Sequence, residues 1–200
     1  MTPSAASPGP AWIFGYGSLM WRPGFPFRAR RKAWLSGYAR AFCRYSFRHR
    51  GTPERPGLVI GLQELEPAPG RQDDPAGGCV GIAFMPELDS IAKTMAYLDE
   101  RERPGYRRVL RPIALLDGAQ PETVRAWVYV PDPRHPSYFG RKDPQQIVPL
   151  ILQGQGESGS AYDYLVTMVG ELHKIGVREP ELEAVLRAVE AGRAAASASA

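Results

Sequence analysis

The stretch Trp12-Ile13-Phe14-Gly15-Tyr16-Gly17-Ser18-Leu19 joins the apolar start of a β-strand to a turn that contains two glycines. Glycine lets the backbone adopt positive φ, and it lets a bound molecule approach the amide N–H groups closely. The turn therefore suits a ligand better than it suits packing. Met20 stands where a dinucleotide-binding turn needs its third glycine, so we set that interpretation aside. A strand that simply ends in a glycine turn is the alternative.

Outside this stretch, the sequence predicts a single strand-rich domain. A chain of 200 residues with 44% hydrophobic content is long enough to bury one core. Runs of β-branched and aromatic residues predict six strands, at 12–16, 34–46, 58–65, 79–85, 106–116 and 122–130. Pro, Gly and Asp are concentrated in residues 66–78, which predicts an exposed loop between two of these strands.

Helices are predicted beside the strands and throughout the C-terminal third. Apolar residues at helical spacing predict an amphipathic helix over residues 88–99. Further helix starts are indicated at Asp143-Pro144, at Ser160 with Asp163 as a capping pair, and at Pro180. Pro149 should shorten or kink the first of these helices, because it lacks an N–H group. The fold class predicted from these elements is α+β.

The chain ends and the cysteines predict disordered tails and a cytoplasmic location. Residues 1–10 and 192–200 are small or polar, which predicts two disordered tails around a domain at 11–191. The chain shows neither a signal peptide nor an apolar run of the roughly 20 residues that a membrane helix needs, so we expect a cytoplasmic protein without membrane contact. Cys43 and Cys79 are isolated, which favours reduced, structural thiols.

Arginine is the dominant charge. It outnumbers lysine 21 to 4 and gives a net charge of +4, which favours an anionic partner, either a small carboxylate or a nucleic acid. A nucleic-acid-binding module is the non-enzymatic alternative, because arginines alternate with aromatic residues as in single-strand binders: Arg28, Arg30, Arg31, Arg40, Arg44, Arg48, Arg50 and Arg55 with Trp34, Tyr38, Phe42, Tyr45 and Phe47. Alternation more often produces one solvated basic face, so we do not predict nucleic-acid binding.

Candidate catalytic groups are few. The three histidines have no partnered nucleophile, and metal-ligand spacings are missing, so we predict neither a metal nor a cofactor. Glu102 is the candidate acid or base, since it lies between a predicted helix end and the turn at Pro104-Gly105. The alternative is a solvated surface charge, which is the usual state of a glutamate flanked by Arg101 and Arg103.

Four separated motifs, taken in order, resemble the ChaC family of glutathione-specific γ-glutamylcyclotransferases. They are Trp12 to Trp21, His49-Arg50-Gly51-Thr52-Pro53, Tyr97 to Glu102 with Gly105-Tyr106-Arg107, and Ser158-Gly159 with Asp163-Tyr164-Leu165. The resemblance covers about Trp12 to Glu190. It implies a small α+β domain whose mixed sheet curls into a partial barrel with helices outside, and a lyase that cleaves glutathione to 5-oxoproline and cysteinylglycine without a cofactor.

The resemblance also implies roles for particular residues. Glu102 matches the family's catalytic glutamate. The substrate-binding positions implied are Phe14, Gly15, Tyr16, Gly17, Ser18, Leu19, His49, Arg50, Tyr106, Ser158, Gly159 and Tyr164. Lys93 departs from the human relatives, which tend to carry a second acidic residue there, so Glu102 is left as the obvious acid or base.

Such a reaction suits these residue types, because the α-amine of a γ-glutamyl amide can attack its own side-chain carbonyl. Positioning then dominates catalysis, and one carboxylate can move the protons. Burial behind Tyr106 would raise the pKa of Glu102, whereas Arg101 or Arg103 would lower it, and the sequence leaves both open. A cyclotransferase for other γ-glutamyl amines or dipeptides is the alternative enzyme. The oligomeric state is not readable, because no heptad pattern is sustained.

Overall fold

The computed structural model describes residues 11–66, 77–102, 105–118, 120 and 122–198. In chain order, the strands are β1 (Trp12–Gly15), β2 (Phe27–Ser36), β3 (Tyr38–Ser46), β4 (Gly57–Glu64), β5 (Gly78–Pro86), β6 (Tyr106–Leu115), β7 (Glu122–Pro131), β8 (Gln155–Gly156) and β9 (Gly159–Ser160). The helices are α1 (Ile91–Arg101), α2 (Pro144–Gln153), α3 (Ala161–Lys174) and α4 (Pro180–Ala198).

Five strands form a closed barrel in the order β1-β5-β2-β6-β7. β1 pairs antiparallel with β5 and parallel with β7, so the sheet is mixed. Because β1 lies between two strands and is covered on both faces, its residues are apolar without alternation, and Ile13 and Phe14 are fully buried. The predicted α+β class with a mixed, curled sheet is confirmed, and the closure goes further than the partial barrel that was expected.

β3 and β4 pair with each other in a separate two-stranded sheet. Their register shifts between Phe42 and Arg44, which marks a β-bulge that re-aims the side chains after it. The prediction of one strand over 34–46 is wrong, because Gly37 adopts a φ of +76° and separates β2 from β3. β2 also begins earlier than predicted, at Phe27, since its first half carries exposed charges that hide the strand pattern.

α2, α3 and α4 begin where the sequence indicates, whereas α1 begins at Ile91 and not at residue 88, because Leu88–Ser90 form a 3-10 turn before it. The Ser160 hydroxyl accepts the Asp163 backbone N–H at 2.9 Å and caps α3. Pro149 lies inside α2, which nevertheless continues to Gln153. α4 continues to Ala198, so the tail predicted to be disordered from residue 192 is helical through 198, as its alanine content favours. The predicted N-terminal tail and residues 67–76 of the predicted loop lie outside the described residues.

One hydrophobic core extends from Trp12 on β1 to Val189 on α4. α2 and α3 contact β4, and both contact α4, so the helical third covers the β3–β4 sheet. None of the helices that the structure describes has the length and apolarity to cross a membrane. This packing brings the turn after β1, the end of α1 and the end of β3 around one cavity.

Candidate active site

A cavity of about 570 Å³ lies between the glycine turn, the end of α1, the segment from Arg44 to Arg50 and the start of α3. Ten of the thirteen site residues predicted from the sequence line it: Tyr16, Gly17, Ser18, Leu19, His49, Arg50, Glu102, Tyr106, Ser158 and Tyr164. These residues are up to 148 positions apart in the chain (164 − 16), so only the tertiary fold brings them together.

The glycine turn, residues Tyr16 to Leu19, lines this cavity. The Tyr16 hydroxyl is already used, because it donates to the Tyr129 carbonyl oxygen at 2.7 Å. After Gly17 the chain enters a single 3-10 turn, in which the Met20 N–H donates to the Gly17 carbonyl at 2.9 Å. Within the described part of the chain, no protein acceptor lies on the N–H groups of Gly17, Ser18 or Leu19. The turn therefore has free N–H groups suited to an anionic oxygen.

Glu102 is the acidic residue of the cavity. It follows the last residue of α1, and its backbone N–H donates to the Leu98 carbonyl at 2.9 Å. Its side chain keeps 16% of its surface accessible, which contradicts the alternative of a solvated surface charge. Burial raises the pKa of the Glu102 carboxyl above its ordinary value of 4.5, and this effect outweighs the lowering of that pKa by Arg101 and Arg44.

Arg101 connects the end of α1 to the chain that follows the glycine turn. Its guanidinium donates to the Ser18 hydroxyl at 3.0 Å, to the Arg22 carbonyl at 2.5 Å and to the Pro23 carbonyl at 3.1 Å. Its Nε lies 3.5 Å from Oε1 of Glu102. One side chain thus holds the carboxylate and the glycine turn in a common frame.

A second, buried cation, Arg44, also lowers the pKa of Glu102 by its charge. Arg44 is 7% exposed, lies 4.0 Å above the Tyr106 ring and donates to the Ser137 hydroxyl at 2.8 Å. Burial raises the pKa of Tyr106 to about 12, and its hydroxyl lies 3.4 Å from the Ile60 carbonyl oxygen. Gly105, at a φ of +102°, leaves room for the Arg44 side chain, because a Cβ at position 105 would lie 2.5 Å from Nη2 of Arg44.

Ser158, between β8 and β9, and Tyr164, on α3, also line the cavity. A hydrogen bond of 2.9 Å joins Nδ1 of His49 to the Ser158 hydroxyl. The Arg50 guanidinium donates to the Ser160 carbonyl at 3.1 Å and lies 5.3 Å from the centre of the Tyr164 ring. These contacts hold the segment from Arg44 to Arg50 against the β8–β9 hairpin. The cationic residues of this segment lie beside the cavity.

Three predicted site residues do not line the cavity. Phe14 is fully buried in the core, and Gly15 leaves room for Leu19, whose Cβ would lie 2.9 Å from a Cβ at position 15. Gly159 forms the hairpin turn with a φ of +100°. These residues shape the walls, and the cavity itself begins at Tyr16.

Several lining residues were missed by the sequence reasoning, namely Trp21, Arg22, Tyr97, Arg101, Tyr129, His135 and Ser137, together with Arg44. The alternating pattern around Arg44 was misleading, because an arginine in an alternating strand is normally solvated. Arg40 and Arg44 are buried and bonded within the protein, so they are not part of an exposed basic surface. Among the described residues, no three His, Cys, Asp or Glu side chains are grouped as metal ligands.

Comparisons with known proteins agree with this geometry. The family model described as "ChaC-like protein" matches residues 11–192. The glutathione-specific γ-glutamylcyclotransferase of Escherichia coli K12 is 34% identical over 184 residues, covering 91% of this chain and 74% of that protein. Glutathione-specific γ-glutamylcyclotransferase 1 of Homo sapiens is 30% identical over 197 residues, covering 94% and 85%. A crystal structure of the yeast γ-glutamylcyclotransferase specific to glutathione superposes with a TM-score of 0.79 at 22% identity, covering 90% of this chain and 95% of that one, which shows the shared fold.

Proposed function

The chain belongs to the ChaC-like protein family, and we propose that it is a γ-glutamylcyclotransferase, a lyase that converts glutathione to 5-oxoproline and cysteinylglycine. The bacterial and human relatives bear the name of this glutathione-specific activity. One observation carries the proposal beyond the resemblance: a largely buried carboxylate, Glu102, lines the same cavity as Gly17, Ser18 and Leu19, whose N–H groups have no acceptor among the described residues.

The reaction is an intramolecular displacement. The α-nitrogen of the γ-glutamyl group forms a bond to its own side-chain carbonyl carbon, and the bond from that carbon to the cysteinyl nitrogen breaks. No water and no enzyme nucleophile take part. Well-oriented intramolecular attack has an effective molarity of roughly 10⁵ M or more, so a rigid cavity that holds the substrate curled supplies a large part of the rate.

Glu102 moves the protons. The α-ammonium group loses two protons as it becomes the lactam N–H, and the cysteinyl nitrogen gains two as it becomes an ammonium group. A carboxylate beside both nitrogens accepts a proton from the first and returns it to the second. The raised pKa of Glu102 supports this role, because it brings the carboxyl closer to neutral pH, where both the acid and the base form are accessible.

Charge complementarity supports an anionic peptide as the substrate. Glutathione carries two carboxylates, and three arginines, Arg44, Arg50 and Arg101, line the cavity. Free backbone N–H groups of the glycine turn stabilise the negative charge that develops on the attacked carbonyl oxygen. The two buried free thiols, Cys43 and Cys79, support a reducing compartment, and we place the reaction in the cytoplasm.

The proposal is tested by incubating the purified protein with glutathione and measuring 5-oxoproline and cysteinylglycine. Equal amounts of both products are expected, and the Glu102→Gln variant should form them about 10²–10⁴-fold more slowly. γ-Glutamyl-alanine serves as the comparison substrate, since a higher kcat/KM for it than for glutathione would favour the broader γ-glutamyl activity. Failure of the wild-type protein to release 5-oxoproline from either substrate would refute the proposed function.

A further inference from the structure

A second buried arginine touches the glycine turn from behind the cavity. Arg40 lies on β3, and its side chain has no accessible surface. Its Nε donates to the Tyr16 carbonyl at 2.7 Å, and its Nη2 donates to the Val80 carbonyl at 2.6 Å. Its Nη1 forms an ion pair with Glu179, next to the start of α4. Arg40 does not line the cavity, so it does not contact a substrate there.

The bond to Tyr16 determines the direction of the next N–H group. In a trans peptide unit, the carbonyl of one residue and the N–H of the following residue point in opposite directions. Arg40 holds the Tyr16 carbonyl towards the protein interior, and the Gly17 N–H therefore points away from Arg40. Gly17 lines the cavity, and within the described residues its N–H group has no protein acceptor.

We infer that Arg40 is a positioning residue, which fixes the Tyr16–Gly17 peptide plane so that the Gly17 N–H donates to an anionic oxygen of the bound substrate. This inference rests on the proposed function. A guanidinium suits the task because its planar fork serves three acceptors at once, two carbonyl groups and the Glu179 carboxylate. The same positive charge polarises the Tyr16 carbonyl, which strengthens the N–H of that peptide unit as a donor.

Neither lysine nor methionine at position 40 can form this set of bonds. A lysine ammonium is a single point donor on a flexible chain, so it cannot bond Tyr16, Val80 and Glu179 in one fixed geometry. An apolar side chain would leave Glu179 and two carbonyl groups without their partner. Loss of a whole oxyanion donor costs roughly 10²–10³-fold in kcat, and a loosened peptide plane costs less, so we expect a decrease of about 10- to 100-fold for Arg40→Lys.

The main test compares Arg40→Lys with a variant that is only less stable. Val189→Ala truncates a fully buried side chain on α4, outside the cavity lining, and lowers the melting temperature without touching the turn. We expect kcat/KM for glutathione to fall about 10- to 100-fold in Arg40→Lys, and to stay within about twofold in Val189→Ala at a temperature where both are folded. Equal kcat/KM in the two variants would overturn the inference.

A spectroscopic measurement follows the Gly17 N–H directly. In the Glu102→Gln background, where turnover is slow, glutathione should move the Gly17 amide proton resonance downfield as the N–H group takes up its acceptor. The same titration with Arg40→Lys added should show a smaller shift. An identical shift in both proteins would overturn the role of Arg40, whatever the activities are.

If Arg40→Lys does not fold, a second variant removes the Gly17 N–H and leaves Arg40 unchanged. Glycolic acid in place of Gly17 exchanges the N–H for an ester oxygen, and we expect kcat/KM to fall about 10²–10³-fold. Retained activity would overturn the inference and leave the proposed function standing. Absence of 5-oxoproline from the wild-type protein would overturn the proposed function itself, and the inference with it.

Discussion

Replacing Glu102 by glutamine should separate activity from stability. The change is nearly isosteric and removes only the ability to take up and release a proton. General acid–base catalysis contributes about 10²–10⁴-fold, so kcat/KM for glutathione should fall by that factor, which corresponds to roughly 2.7–5.5 kcal/mol of transition-state stabilisation. The residual rate reflects the positioning of the substrate by the cavity.

Glu102→Gln should not lower the stability of the folded protein, although it lowers activity. Burial raises the pKa of Glu102 in the folded state above its ordinary value of 4.5. Between these two pKa values the folded protein binds more protons than the unfolded chain, so stability falls as pH rises through this window. At pH 7 the ionised carboxylate therefore lowers stability. Neutral glutamine removes this penalty, and the melting temperature of Glu102→Gln should equal or exceed that of the wild type.

Glu100→Gln is the matched control, because Glu100 is exposed on α1, two residues before Glu102. Both variants lose one negative charge, so a difference between them reports the location of the carboxylate. The assay is the initial rate of 5-oxoproline release, with calorimetry of each protein. Turnover by Glu102→Gln within fivefold of Glu100→Gln would refute Glu102 as the proton carrier.

Further predictions follow from the same contacts. The kcat/KM of the wild type should fall as the pH drops through the raised pKa of Glu102, with a midpoint above 4.5, because the base must be ionised; a pH profile with no acid limb above 4.5 would contradict this. Gly17→Ala places a Cβ 3.2 Å from the Tyr164 hydroxyl, and kcat/KM should fall about tenfold (~1.4 kcal/mol); Tyr164→Phe in the same protein should recover part of this loss. Gly61→Ala places a Cβ 2.5 Å from Cγ of Pro131, and chemical denaturation should show that the free energy of unfolding falls by roughly 1–3 kcal/mol. Gly170→Ala, on a helix with open space around it, should instead add about 0.5–1 kcal/mol, and equal effects of the two changes would contradict the packing.

The strand and helix pattern could be predicted well where local chemistry decides it. The Ser160 cap, the proline at the start of α2 and the apolar residues of β1 follow from hydrogen-bonding capacity and burial within a few residues. The prediction was wrong at Gly37, where a glycine inside an alternating run separates two strands. It was also wrong for residues 192–198, which continue α4. At Gly37 the local pattern fits one long strand or two shorter ones, and the tertiary fold selects two, whereas residues 192–198 are mostly exposed and their alanine content favours the helix.

The candidate site was predicted in part. The resemblance to a family indicated Glu102 and the glycine turn, and the structure places both beside one cavity. Arg44 and Arg40 were interpreted as solvated strand residues, because alternation in a single strand does not show what covers its face. Both are buried, Arg44 by Tyr106 and Ser137, and Arg40 by the glycine turn and Glu179.

By itself, the sequence determined the α+β class, most helix starts and the turn whose glycines expose backbone N–H groups, because these depend on side chains within a few residues of each other. Only the tertiary structure decided the environment of Glu102. Desolvation and the distances to Arg101 and Arg44 together set its pKa, and these quantities arise from contacts between α1, β3 and the turn after β1. Burial is a property of the packed chain, so no local pattern contains it.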